Sequence, residues 1–232
     1  MKIHTEIQQY SPEWYAIRAG VITASEVGPF ILNSGKVADG ARLKLVCKKI
    51  AELAGEVEEV FPNDAMKRGT AVEPLAREEY ARIFGVEVKD VGFISCDHDP
   101  LGCSPDGLIY SGETLVRGLE IKGPSASTQV RWLLEGGLPE EHKFQVHMSM
   151  AMAEVNEWDF WSFCPKVTEW IKTREAWTVA AWEPGNIPPL HVRVRRDKFT
   201  DELMKGLHDI CGLYADTKAK MAQLWNERKQ AA

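Results

Sequence analysis

The chain has 232 residues, of which 44% are hydrophobic and 27% charged, with a formal net charge of −6. That length suits one domain, or one domain with a small appendage, and no apolar run approaches the roughly 18 residues of a membrane span. The acidic balance lacks the basic footprint usual in duplex-binding proteins, although a basic lining can coexist with an acidic exterior.

The N-terminal stretch MKIHTEIQQYSPEW is polar and lacks the apolar centre of a signal peptide, which predicts a cytoplasmic protein. Ser11 reads as the cap of a first helix, with Pro12 at its opening position and Gly20 as its stop. Thr23 and Glu26 have capping-box spacing and predict a second helix, with Ser25 in its first turn. A third helix is expected from Asp39 to Ala54, ended by Gly55. A fourth is expected from Thr70 to Phe84, closed by Gly85, with Thr70 and Glu73 as a further capping box and Pro74 tolerated in the first turn. The region from about 11 to 85 therefore reads as helical.

From VEVKDVGFIS onward the period changes. Short β-rich pieces separated by CDHDP, SPDG and SGE predict hairpins that end in a strand from Leu115 to Lys122. Pro124 and the serines after it open a helix reaching Glu135, and PEEHKFQVHMSMAMAE supplies the next. Strands are expected at Trp158–Phe163, Trp177–Trp182 and His191–Arg195, then a long amphipathic helix from Asp197 to about Lys229, broken near Gly212. Helices, a mixed sheet and helices again make an α/β or α+β layer fold.

Five cysteines form neither a CxxC pair nor a zinc spacing, and their odd number argues against a disulfide framework; they read as small buried apolar residues. His142 and His147 are five apart, which on a helix separates their directions and disfavours a zinc site. Arg193 and Arg195 alternate with valines and share one strand face, either as a basic lining or, the reading the pattern favours, as a solvated face.

The chemistry concentrates in CSPDGLIYSGETLVRGLEIKGP, Cys103 to Pro124. Glu120 and Lys122 are two apart on an expected strand, so they share a face. Asp106 lies fourteen positions before Glu120, a separation that lets a hairpin bring both carboxylates together. Magnesium takes oxygen ligands, commonly one or two carboxylates completed by water and phosphate. An ammonium cannot ligate it, but Lys122 fits beside an attacking water or a developing phosphate charge. The same residues also fit a surface ion pair of Glu120 with Lys122 or Arg117.

SPDG followed by LEIKGP resembles the PD-(D/E)xK nuclease motif, and its setting is similar to the lambda-exonuclease-like phage recombination exonucleases. Four blocks match in order: WYAIRAGVITASE, RGTAVEPLAR, CSPDGL with GLEIKGP, and FQVHMSMAM. The similarity spans roughly Trp14 to Trp161. It implies a restriction-endonuclease-like core, a central mixed sheet flanked by helices, within one nuclease domain of residues 1–232.

The resemblance implies that Asp106, Glu120 and the backbone carbonyl of Ile121 bind magnesium, with manganese as a substitute, and that Lys122 serves the water and the phosphate. It places Glu73 as a further active-site acid, a role that competes with its capping role, and Gln145 as an amide near the lysine or water. Arg18, Ser25 and Ser104 would receive a 5′-terminal phosphate. It further implies 5′-to-3′ digestion of one strand of linear duplex DNA, a homotrimeric ring around the DNA and a single-strand annealing protein as partner. A restriction-type or structure-selective endonuclease and a non-catalytic DNA-end-binding protein are the competing readings. Met66, seven residues before Glu73, reads as either a strand-separating wedge or a core residue.

Overall fold

The computed structural model describes residues 1–32, 34–35, 40–56 and 61–231. Strand β1 (Lys2–His4) is followed by α1 (Pro12–Arg18) and a two-residue strand β2 (Ile22–Thr23). Ser11 caps α1 by accepting from the Trp14 amide, and Pro12 stands in its first turn as expected. After β2 the chain makes turns and a single 3-10 turn at Gly28–Phe30 instead of an α-helix, so Ser25 lies in a turn.

Helix α2 (Ala41–Leu53) is the third expected helix; its predicted start at Asp39 falls outside the described residues. Helix α3 runs Asp64–Phe84, longer than expected at its N-terminal end. Asn63 is the cap, its side chain accepting from the Met66 amide at 2.9 Å. Thr70 therefore sits inside the helix and caps nothing, which frees Glu73 from the capping role. Gly85 closes α3 at a φ of +62°, a left-handed turn that glycine makes without strain.

Strands β3 (Phe93–Ser95) and β4 (Leu101–Cys103) join β1 and β2 in a small sheet of order β1-β3-β4-β2. β2 runs parallel to β4, with Ile22 opposite Leu101 and Thr23 opposite Gly102. The second sheet holds β5 (Gly107–Ser111), β6 (Thr114–Lys122), β7 (Glu157–Ser162) and β10 (Leu190–Arg195) in the order β10-β7-β6-β5. β5 and β6 form an antiparallel hairpin, β6 and β7 are parallel, and β7 and β10 are antiparallel, so the sheet is mixed. The parallel step needs a crossover, which α4 (Ala126–Glu135) and α5 (Glu140–Met152) supply. Between β7 and β10 lies a hairpin of β8 (Lys166–Lys172), which the sequence pattern does not announce, and β9 (Trp177–Glu183).

The last helix, α6 (Lys198–Ala231), continues unbroken through Gly212, contrary to the expected break. A glycine weakens a helix without ending it, and here Ile210, Cys211 and Tyr214 on either side are buried.

Alternation along β6 and β7 divides the core. Leu119, Ile121 and Trp161 pack with Val72, Ala76 and Tyr80 of α3. Trp158 and Phe160 point the other way and pack with Val146, Met148 and Met150 of α5 and Leu203 and Leu207 of α6. Glu120 is paired with Phe160 and shares its face, so β6 aims one carboxylate into the apolar side that α5 covers. Cys103, Cys164 and Cys211 are buried as expected, Cys96 is half-buried and Cys47 is exposed. Among the described residues no helix is long and apolar enough to cross a membrane.

Candidate active site

The β5–β6 hairpin sets the two acids side by side. The Asp106 amide donates to Leu119 O at 3.1 Å, and the Ile121 amide donates to Asp106 Oδ2 at 2.6 Å. Asp106 is thereby locked against the strand position next to Glu120. Glu120 is 1% exposed. Its Oε1 accepts from Lys122 Nζ, whereas its Oε2 is buried with no hydrogen-bond partner. The ion pair that the sequence allowed is therefore present but buried. Arg117, the other candidate partner, places its Nε 3.0 Å from Asp159 Oδ2 instead.

Glu73 joins this pair from α3, its carboxylate held by Arg77 Nη2 at 2.8 Å while Arg77 Nη1 reaches Asp90 at 2.7 Å. Burial, followed by repulsion from Asp106, pushes Glu73 up to about 7. Burial also pushes Glu120 up to about 8; Lys122 pulls against that shift, while Asp106 and Glu73 add to it. Asp106 is raised as well, by burial, against Lys122 and the Ile121 amide. Lys122 is shifted upward by Glu120 and Asp106, which outweigh its own burial. When ionised, the three acids outnumber the two cations that face them, Lys122 and Arg77.

Such a donor set fits a hard divalent cation, and the partnerless buried Glu120 Oε2 is the observation that tests the fit. Among the described residues no three His, Cys, Asp or Glu side chains are grouped to hold an ion by themselves. Asp106, Glu120 and the Ile121 carbonyl would therefore need water and phosphate oxygens to complete a coordination sphere.

Gly123 explains itself in this setting. A Cβ there would meet Val72 Cβ at 3.0 Å and Gly69 Cα at 3.4 Å, so a glycine after Lys122 lets α3 close on the end of β6.

The expected phosphate-binding residues gather in part. Arg18 Nη1 donates to Ser104 Oγ at 3.0 Å, and Trp14 Nε1 donates to the same oxygen at 2.9 Å. The Arg18 guanidinium lies 4.0 Å over the Trp14 ring. Trp14 and Arg18 are four apart on α1, the spacing that puts two side chains on one helix face. That signal was available in the sequence. Parallel pairing of β2 and β4 brings Ser25 and Ser104 to the same ends of neighbouring strands, with the Ala24 amide donating to Gly102 O at 3.0 Å. Ser25 is exposed and Gln145 half-buried on α5, and no hydrogen bond among the described residues ties either to the other candidates. Met66 is 48% exposed, so it is not a core residue.

The strand face of Arg193 and Arg195 is solvated only at Arg195, whose side chain is 80% exposed; Arg193 Nε and Nη2 instead donate to the fully buried Asp159 at 2.8 and 3.0 Å. Arg195 stands 3.3 Å from Glu157. His142 stacks on Phe160 and His147 bonds Thr200 at 2.7 Å, so the two serve separate contacts.

With this geometry in view, a family model for the YqaJ-like viral recombinase domain matches residues 13–156, more than half of the chain and all four sequence blocks. The chain belongs to the YqaJ-like viral recombinase family. Among solved structures, an alkaline exonuclease from Laribacter hongkongensis is similar, with a TM-score of 0.67 and 27% identity over 92% of this chain and 100% of that one. A second structure of that protein, in complex with dAMP, matches equally. A phage-related exonuclease from Haemophilus somnus 129PT matches in fold, with a TM-score of 0.62 and 13% identity over 87% of this chain and 96% of that one. A search of curated proteins finds no match. The likeness in fold covers more of the chain than the family match does. The resemblance to the lambda-exonuclease-like branch and the α/β core with its mixed sheet both stand.

Proposed function

We propose that the chain is a magnesium-dependent 5′-to-3′ exonuclease that degrades one strand of linear duplex DNA from 5′-phosphorylated ends and leaves a 3′ single strand for recombination. The observation that carries this reading is the buried, partnerless Glu120 Oε2 beside Asp106 and Lys122. Membership in the recombinase family and the likeness to an alkaline exonuclease support it.

A magnesium or manganese ion held by Asp106, Glu120 and the Ile121 carbonyl would polarise a phosphoryl oxygen and lower the pKa of an attacking water. The side chains do the rest. Lys122, drawn to Glu120, sets a fixed positive charge where the phosphate gathers negative charge. Glu73 has a carboxyl near neutrality, in the range where a proton can be taken from water and returned, and Arg77 fixes its direction. Arg18 and Ser104 offer a guanidinium and a hydroxyl to the terminal phosphate; among the described residues no carboxylate lies within ion-pair distance of Arg18. A homotrimeric ring and an annealing partner form part of the same proposal.

The test is digestion of linear duplexes with and without a 5′ phosphate, in magnesium or chelator, with products sized. Mononucleotides released with magnesium from phosphorylated ends are expected. Long fragments, or cleavage of a covalently closed plasmid, would assign the site to an endonuclease. No metal-dependent release would leave a DNA-end-binding protein.

A further inference from the structure

Tyr10 has a backbone φ of +68°. A residue with a Cβ holds this left-handed conformation only when its surroundings impose it, and such outliers gather at functional sites. Both flanks impose it here. Gln9 Nε2 donates to Val91 O at 3.0 Å and to Pro105 O at 2.9 Å, which fastens the chain to the residue before Asp106. On the other side the Ser11 amide donates to Gln8 O at 3.2 Å, and the Ser11 hydroxyl caps α1.

The turn projects the Tyr10 ring to a centroid distance of 5.2 Å from Trp14, with the residue 54% exposed. Burial, followed by the fields of Glu73 and Asp106, raises the pKa of its hydroxyl, so that end lies toward the acids. More than half of the residue is open to solvent. Trp14 in turn carries Arg18 over its ring and binds Ser104. Tyr10 thus stands between a guanidinium–hydroxyl pair suited to phosphate and the acids suited to cutting. In a DNA strand, one nucleoside separates the 5′-terminal phosphate from the first phosphodiester link.

We propose that the open face of Tyr10 is a stacking subsite for the terminal nucleobase of a DNA strand whose 5′ phosphate rests on Arg18 and Ser104. The phosphate placement rests on the function proposed above. Every base has a π face, so the subsite takes any of the four and holds the terminal nucleotide without reading sequence. The left-handed backbone at residue 10 is the conformation that carries the ring there. Glycine would adopt it more easily and supply no ring.

The test uses a duplex oligonucleotide with a 5′ phosphate and 2-aminopurine as the terminal base, titrated with the whole chain in chelator so that binding is read without cleavage. Wild type, Tyr10→Phe and Tyr10→Gly are compared. Binding of wild type and of Tyr10→Phe is expected to change the 2-aminopurine fluorescence. Tyr10→Gly is expected to lose that change and to bind about 5-fold or more weakly, with no fall in melting temperature. A duplex with an abasic 5′-terminal position reads the same contact without altering the protein: wild type should lose a similar factor, and Tyr10→Gly should lose little more. Unchanged affinity and fluorescence in Tyr10→Gly, or no loss with the abasic end, would overturn the subsite. Wild type that cuts DNA while failing these comparisons would leave the nuclease reading intact. A Tyr10-dependent fluorescence change in a protein that never cuts would do the reverse, and no binding of DNA ends would sink both.

Discussion

Glu120 and Glu73 sit at about 8 and about 7, above the ordinary carboxylate range, because burial and mutual repulsion outweigh the pull of Lys122 and Arg77. A group whose folded pKa is raised stabilises the fold below its unfolded pKa and loses that contribution as pH rises through the folded value. Without a divalent cation the protein should therefore lose melting temperature between about pH 5 and pH 8.5. Magnesium should raise the melting temperature more at pH 8.5 than at pH 6, since protons and the cation compete for the same oxygens. Thermal melts with magnesium or chelator across this range check the prediction; a magnesium effect independent of pH would refute it. His142 works in the opposite direction. Burial followed by the field of Lys122 holds it down at about 3, so the unfolded chain protonates it first as pH falls. Its contribution is full above about 6.5 and is lost as pH drops toward 3. His142→Phe, which preserves a ring against Phe160 and Trp132, should flatten the acid loss of stability in denaturant melts over that window. At this scale Asp106, Glu120 and Lys122 were legible because strand alternation and a short hairpin fix them locally. Tyr10 and Arg77 were not, because their roles depend on α3 and the N-terminal turn meeting in space.

Local rules misled where tertiary contacts claimed the backbone. Thr23 and Glu26 bond side chain to side chain, at 2.5 Å, instead of making the side-chain-to-amide bonds of a capping box, and a 3-10 turn follows instead of an α-helix. Thr23 is held in parallel pairing with β4, and Glu26 is turned toward Lys48 and Lys49, which it reaches at 2.9 and 2.7 Å. Thr70 and Glu73 have the same spacing in the middle of a helix, where neither caps. A four-residue motif signals a helix start only if the chain before it is free to leave the helix. Strand β6 shows the converse, a local sequence dictated by packing. A Cβ on Gly118 would meet the Trp158 ring at 2.3 Å, and the buried ring has no room to yield. Gly118→Ala should cost about 1–3 kcal/mol, read as a lower denaturant midpoint at an unchanged slope; an unchanged midpoint would show that the strand can shift away from the ring.

Across the molecule, many of the arginines are tied into the scaffold by ion pairs. Arg77, Arg82, Arg117, Arg131, Arg193 and Arg195 all lie within ion-pair distance of carboxylates. Arg18 differs from these: its guanidinium lies over the Trp14 ring and donates to Ser104. Arg18→Ala should therefore weaken capture of 5′-phosphorylated ends by about tenfold or more while leaving non-phosphorylated ends little affected, as measured by competition between the two ends. Equal loss on both would assign Arg18 to packing. The layer order of helices, sheet and helices was legible from periodicity, whereas the small sheet of β1 to β4 was not, because strands of two or three residues carry no period. If the homotrimer proposal holds, light scattering should give three times the 26.1 kDa chain mass.

Metal-dependent cleavage by this chain depends on Asp106 and Glu120 forming one cation site. Isothermal titration of magnesium, or of manganese as the tighter probe, into wild type and Glu120→Gln at pH 8 tests this most directly. Saturable binding in wild type, abolished by a substitution that keeps the shape of the side chain and removes its charge, is the predicted result. Equal binding in both proteins, or none in wild type even with a 5′-phosphorylated DNA end present, would contradict it.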